Sequence, residues 1–365
     1  MQSENYPEAE LQAADTPPGN RRSKRTKLLI SVQAATFLLG LGLLIFVIYR
    51  IGYQNLIESL TSVGWGFAVI LALNLARHLL RAASLFWAVA PGHRTFSYWN
   101  AVAARFGGEA VNFFTFTGPF LGDATKAVLL KRNIPLAQSA SAVIIDNILY
   151  YVSVVIVVLA GVTVLLLNYG SSGSAMSRVL LAIVLVALIM FAGLMVAILN
   201  RVKPISRILA FLEKRDLAPQ FVLRKREGLL DVERNVFQFY HDRTTDFFIL
   251  FGICLSVHAI SVAEVYMALK FLGHESLVST AFVIESLTKV INAVFSFIPG
   301  TIGVYEGGNG LILKTLGYTT AVGVALALVR RGAILFSTFI GLVILLWRGA
   351  ARGARHLAET RDDAD

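Results

Sequence analysis

Apolar positions in this chain come in long unbroken runs rather than in the short stripes of a soluble helix or strand. A run of about 20 apolar residues matches the hydrocarbon thickness of a bilayer. Six runs reach that length: Leu28–Tyr49, Trp65–Ala90, Leu136–Leu167, Val179–Asn200, Thr244–Leu272 and Thr319–Trp347. Each predicts a full membrane-spanning helix. The first competes with a signal peptide, whose apolar core spans about 7–15 residues and ends in small side chains. This run is longer and ends Phe46-Val47-Ile48-Tyr49-Arg50, so it predicts an uncleaved helix.

Two further apolar stretches, Asn100–Leu130 and Ser279–Tyr318, are interrupted near their middles. The first contains Thr117-Gly118-Pro119-Phe120-Leu121-Gly122-Asp123; the second contains Pro299-Gly300-Thr301-Ile302-Gly303-Val304-Tyr305-Glu306. Proline removes a backbone donor and glycine weakens a helix. Unpaired backbone at membrane depth survives only where protein or a cavity covers it. Each stretch therefore predicts two half-helices meeting at a break, with an ordinary kinked helix as the plainer reading. Pro119, Gly122, Pro299, Gly300 and Gly303 are the expected hinge positions.

Composition agrees: 56% of residues are hydrophobic, 15% are charged and the mean hydropathy is +0.67. Soluble domains carry about 25% charged residues. A soluble enzyme, a disulfide scaffold and a disordered protein are excluded. Cys254 is the single cysteine, so neither an intrachain disulfide nor a cysteine-based metal site can form. The net charge of +10 reports loop orientation and anionic lipid rather than nucleic acid. With both termini cytoplasmic and each broken stretch leaving on the side it entered, 22 of the 33 Lys and Arg face the cytoplasm and four face outward. That asymmetry follows the positive-inside rule. Residues 1–27 read as a disordered basic tail and 348–365 as a C-terminal tail. Residues 201–243 read as a cytoplasmic connector, either a surface helix or hairpin near headgroups or a solvated link.

The broken stretches align at an offset of 180 residues. Asn112 matches Asn292, Pro119 matches Pro299, and the pair Arg105–Glu109 falls on Glu285–Lys289 with its signs exchanged. The flanking helices match as well. One break enters from the cytoplasm and the other from outside, so the halves, approximately 28–168 and 178–347, read as inverted copies. Matching interrupted segments in inverted halves point to a transporter site at the bilayer midplane.

A charge at the centre of a membrane helix costs about 2.5–3.5 kcal/mol on insertion scales. Seven basic and six acidic residues lie at such depth. Internal ion pairing explains Arg105–Glu109 and Glu285–Lys289. Arg77 and Arg81 lie one turn apart with no acid on their own helix, as do the neighbours Arg330 and Arg331. These four, with Lys126, Asn112 and Asn292, are the candidate anion-binding residues; snorkelling is the alternative for Arg77. Helix N-termini just after the two prolines suit a phosphate. Asp123, Asp146 and Glu306 are candidate proton or ion couplers. No phosphate-binding loop, HExxH motif or histidine cluster is present, so neither a catalytic set, a cofactor nor a metal is expected.

The segment from Asn112 through Pro119, Gly122 and Asp123 to Lys126 resembles the first motif of the lysylphosphatidylglycerol synthase transmembrane-region, or flippase-like, family. Pro299-Gly300-Thr301-Ile302-Gly303-Val304-Tyr305-Glu306 is similar to its second motif, Pro-Gly-x-x-Gly-x-x-Glu. Arg77, Arg81, Asp146 and Arg330 sit where the family tends to carry such residues. Asp123 and Lys126 stand where Glu and Arg are more usual. The resemblance covers roughly residues 28–347. It implies movement of an anionic or modified phospholipid, or a related lipid, between leaflets. Aminoacyl transfer belongs to a separate soluble domain of bifunctional relatives and is not expected of the 18 residues after Trp347.

The sequence thus predicts an all-α polytopic membrane protein of the bacterial inner membrane. It has about six full transmembrane helices plus two broken re-entrant helical hairpins, arranged as an inverted repeat. A membrane lipid with an anionic headgroup is the expected partner; a lipid-biosynthesis enzyme or a homo-oligomer is a further one. The alternatives are a membrane enzyme acting on a lipid or polyprenyl phosphate, and a non-transporting scaffold for lipid biosynthesis.

Overall fold

The computed structural model describes residues 53–115, 119–169, 203–215 and 220–362, with single positions within 42–49 and 189–193, and side chains as far as Arg348. The expected helices Leu28–Tyr49 and Val179–Asn200, and the tail 1–27, lie outside the described residues. The chain divides into two units. Leu44–Gly341 is one; Met1–Leu43 with Leu342–Asp365 is the other, described only as the last part of a helix. Every contact below lies within the first.

Among the described residues the fold is helical throughout. A short α1 (Tyr53–Val63) turns at Gly64, where φ is +55°, into α2 (Gly66–Ala88). After a 3-10 turn at Pro91–His93 comes α3 (Tyr98–Phe114), whose N-cap Ser97 accepts from the Trp99 N–H at 3.3 Å. The return arm α4 (Phe120–Leu130) leads to α5 (Leu136–Tyr169). The connector holds α6 (Pro204–Lys214), α7 (Gln220–Arg224) and α8 (Arg226–Asp242). Then follow α9 (Thr244–Phe271), α10 (Val278–Val294), a 3-10 turn at Pro299–Thr301, α11 (Val304–Thr315) and α12 (Thr320–Asp362).

Among the described residues, four stretches are long and apolar enough to cross a bilayer: Gly66–Ala88, Leu136–Asn168, Thr244–Phe271 and Thr320–Arg348. Each begins and ends within about two residues of an expected span. The arms of the broken stretches are shorter. At about 1.5 Å rise per residue, the 11-residue α4 and the 12-residue α11 fall far short of a hydrocarbon core about 30 Å thick. Each folds back on its first arm. Gly108 of α3 meets Gly122 and Lys126 of α4, and Ile291 of α10 meets Gly308 of α11. Both are helical hairpins.

α12 does not stop at Trp347 but runs on to Asp362. Residues 348–362 contain no proline and are rich in Ala and Arg, which favour helix. The connector is a packed element: α8 lies on α5, where the Asn235 amide donates to the Ser141 hydroxyl at 3.3 Å, and α6 lies on α8. Glu233 of α8 accepts from the Ile205 N–H at 2.8 Å and so closes the N-terminus of α6.

The longest helix contact is between α2 and α9. They run antiparallel. Gly66 abuts Phe271 at one end, and at the other Arg243 donates to the carbonyls of Trp87, Ala88 and Val89. The apolar core, including Ile70, Val162, Val265, Ile284, Leu313 and Val329, is shared by α2, α5, α9, α10, α11 and α12. Two close helix approaches fall at the same 180-residue offset. A Cβ on Gly161 of α5 would collide with Ser286 of α10, and one on Gly341 of α12 with the Phe106 carbonyl of α3.

Candidate functional site

The seven bases and six acids at membrane depth gather into four ion-pair groups. The first lies within the first hairpin. Arg105 pairs with Glu109 at 2.9 Å, one helical turn on, as the spacing predicts. Lys126 reaches back from α4 to Asp123 at 2.9 Å and to Glu109 at 3.4 Å. The other oxygen of Asp123 accepts from the Asn147 amide of α5 at 2.7 Å.

The second group ties α2 to α5. Arg81 holds Asp146 through two contacts of 2.9 Å, and Ser84 donates to the same carboxylate at 2.5 Å. The Arg81 guanidinium stacks 4.1 Å above the Tyr150 ring. Asp146 and Asn147 are consecutive on α5 yet serve different groups, one on α2 and one on α4.

The third group ties α9, α10 and α12. Arg330 donates to Glu264 at 3.0 Å and to Glu285 at 2.9 Å, and Lys289 pairs with Glu285 at 2.7 Å. Arg77 of α2 stands at its edge, 3.6 Å from Glu264 and 3.4 Å from the Ser261 hydroxyl. The fourth is at the second break. Arg331 donates to the Gly300 carbonyl at 2.5 Å and to Glu306 at 2.6 Å, with its guanidinium 4.8 Å from the Tyr305 ring. Glu306 also accepts from the Gly303 N–H at 2.8 Å, which caps α11. The phosphate-like position expected at that N-terminus is thus filled by the chain's own carboxylate.

The groups repeat with exchanged signs. In α2–α5, arginine sits on the helix before the hairpin and the acid on the helix after it, as Arg81–Asp146. In α9–α12 the acid comes first and the arginine second, as Glu264–Arg330. Lys126 and Glu306, on the two return arms, are opposite charges at the 180-residue offset. The two breaks touch: a Cβ on Gly300 would stand 2.9 Å from the Phe113 ring at the end of α3.

The structure thus gives Arg81, Lys126, Arg330 and Arg331 carboxylate partners at 3.0 Å or less, and the expected couplers Asp123, Asp146 and Glu306 are three of those partners. Asn112 packs against Gly122, and its carbonyl accepts from the Thr115 N–H at 3.4 Å. Asn292 is exposed on α10, and among the described residues no side-chain hydrogen bond joins it to the groups. Pro119 stands at the N-cap of α4 and Pro299 opens the 3-10 turn. Ser84, Asn147, Tyr150 and Tyr305 complete the groups and carry no motif that marks them in sequence. Glu306 does: an acid three residues after the capping position has the spacing at which its side chain reaches back to the N-cap N–H, one half of a capping box.

Helices long enough to cross a bilayer, hairpins whose return arms are too short to do so, and buried ion pairs define a polytopic α-helical membrane protein. Residues 29–341 match the family described as the lysylphosphatidylglycerol synthase TM region, and the chain belongs to that family. The match spans both hairpins, three of the four described spans and most of the fourth. No curated protein and no solved structure matches the chain.

Proposed function

We propose that this protein moves an anionic lipid between leaflets, with α2–α5 and α9–α12 as inverted halves. The antiparallel α2 and α9, the two close approaches at one offset and the sign-exchanged ion pairs support that symmetry. The basic connector then lies on the cytoplasmic face. Family membership supports lipid handling, and the state of Arg77 carries the reading further.

Seven bases against six acids leave one surplus positive charge, the magnitude of a single phosphodiester. Burying unbalanced charge is costly, and a counter-ion removes that cost. Arg77 is the base most weakly held: its nearest carboxylate is 3.6 Å away and its side chain is 20% exposed. It lies midway along α2, between the halves. A headgroup phosphate placed there completes the charge balance while the acyl chains stay in lipid. Arg331 and Arg330 then serve as braces, and the phosphate contact falls first to Arg77.

The test is leaflet exchange of fluorescent phosphatidylglycerol in proteoliposomes. A charge-assisted hydrogen bond contributes about 1.5–3 kcal/mol, so Arg77→Ala should slow exchange about ten- to a hundredfold. Arg77→Lys should keep part of the rate, and both variants should unfold at the wild-type temperature. Exchange at the wild-type rate in Arg77→Ala removes Arg77 from the proposal; no exchange of any lipid by the wild-type protein removes the proposal itself.

A further inference from the structure

The connector carries an amphipathic surface. In α6, Leu209 turns inward and is buried, while Ile208 is 57% exposed and Phe211 is 54% exposed. The two lie three residues apart, so they share one helix face. Bases border them. Arg207 and Lys214 are exposed one turn before and one turn after Phe211, and the Arg215 guanidinium lies 5.0 Å from its ring centre. The one acid of the helix, Glu213, is held by Arg226 of α8 at 2.9 Å. Among the described residues no carboxylate pairs with Arg207, Lys214 or Arg215. α6 therefore presents an apolar pair bordered by uncompensated positive charge.

Its depth follows from the helices that hold it. Leu136–Asn168 has 33 residues, about 50 Å of rise against a hydrocarbon core about 30 Å thick. Centred in a bilayer, it passes the core by about 10 Å at each end. Ser141 stands about 7 Å from the start of that helix, and so lies in the headgroup layer. There it meets the Asn235 amide of α8 at 3.3 Å. Two residues earlier on α8, Glu233 accepts from the Ile205 N–H at 2.8 Å and fixes the first turn of α6. The apolar run Val179–Asn200 also ends four residues before Pro204. α6 thus starts at headgroup depth. Single exposed apolar side chains are ordinary on a surface in water. An apolar pair bordered by bases, at this depth, is the pattern of a helix lying in the membrane interface.

We propose that α6 docks on the leaflet at the connector side, with Ile208 and Phe211 among the upper acyl carbons and Arg207, Lys214 and Arg215 on the phosphates of anionic lipid. Long basic side chains lay their stems along an apolar surface and carry their charge outward to the headgroups. Charge chooses the occupant: three free bases at headgroup depth match an anionic leaflet. Glu233 and Asn235 tie the docked helix to α5. This contact is separate from Arg77 and holds whether or not lipid is transported.

The test uses the full chain, one copy per nanodisc, with Cys254→Ala and an environment-sensitive NBD label on Ile208→Cys or, as a water-facing control on α8, on Glu227→Cys. The nanodiscs hold phosphatidylcholine alone or mixed with phosphatidylglycerol. With phosphatidylglycerol, the label at 208 should shift its emission to the blue and be quenched by acyl-brominated lipid several-fold more than the control. Arg207→Gln, Lys214→Gln and Arg215→Gln together should remove that dependence on anionic lipid without lowering the unfolding temperature. Hydrogen exchange of the unlabelled wild-type chain provides a readout free of substitutions: residues 204–214 should exchange several-fold more slowly with phosphatidylglycerol than without. A label at 208 that matches the control in both lipids, together with unchanged exchange, overturns the docking. Bromine quenching that is equal in both lipids and survives the triple substitution overturns the anionic preference. A blue shift found only in nanodiscs loaded with two chains assigns the face to a second copy and overturns the proposal.

Discussion

The two hairpins answer the same structural demand in different ways. Each must end in backbone that no helix satisfies, in the middle of an apolar stretch. The first hairpin closes on itself. Gly108 and Gly122 let α3 and α4 touch backbone to backbone, and Lys126 ties the arms through Glu109. The second is braced from outside. Arg331, on α12, reaches into the turn and donates to Gly300 and Glu306, while Gly300, Thr301 and Gly303 all adopt positive φ. Each positive φ reverses the chain in little space, and Arg331 satisfies the carbonyl thus exposed. The lesson is that equal positions need not have equal roles: a buried arginine beside a break is a brace where the backbone turns sharply, and glycine contact makes a brace unnecessary where the arms are close.

The sharpest way to break that contrast is Arg331→Ala. It takes the guanidinium away from Glu306 and the Gly300 carbonyl, and removing one partner of a buried pair costs about 3–5 kcal/mol. A large drop in thermal unfolding temperature in detergent is expected, with partial recovery in Arg331→Lys; an unchanged midpoint makes the brace an illusion. Next comes Gly122→Ala. Its Cβ would meet Asn112 Cβ at 2.7 Å and the Gly108 carbonyl more closely still, and overpacking costs about 1–3 kcal/mol. The position 180 residues on is Ile302, which already carries a side chain, so Ile302→Leu should leave the same melting curve nearly unmoved. Equal losses at both positions would show that the hairpins share one closing mechanism.

Gly303→Ala should cost about 1–2 kcal/mol, since φ is +80° and a Cβ meets nothing there but strains the backbone. Chemical denaturation can resolve a loss of that size, and its absence would mean the turn relaxes. The smallest effect is a gain. Thr301 is β-branched at φ +49°, so Thr301→Gly should relieve strain and raise stability by up to about 1 kcal/mol. A clear loss instead would mark the Thr301 hydroxyl, which donates to the Gly300 carbonyl at 2.8 Å, as part of the brace.

Much of this was legible in the sequence because hydrophobic thickness and helix rise are one-dimensional quantities. The four described spans follow from the apolar runs, and the pairs Arg105–Glu109 and Glu285–Lys289 follow from their spacing of four. The interior beyond a single helix was not legible. Arg81 finds Asp146 65 residues away, and Arg330 finds Glu264 66 residues back. No periodicity within one helix encodes such a partner, so four arginines without acids on their own helices read as a cationic pocket and fold as nearly balanced pairs. The continuation of α12 past Trp347 was not legible in hydropathy, because the helix persists after hydropathy ends.

Within α2–α5 and α9–α12, every membrane-depth pair of 3.0 Å or less joins residues of the same set of helices. The first set carries four bases and three acids; the second carries three of each. If the protein works as proposed, rocking one set past the other would drag almost no gating charge through the membrane potential, which acts at about 2.3 kcal/mol per elementary charge per 100 mV. Voltage would then push on the proposed lipid cargo and on Arg77, and leave the other charges balanced.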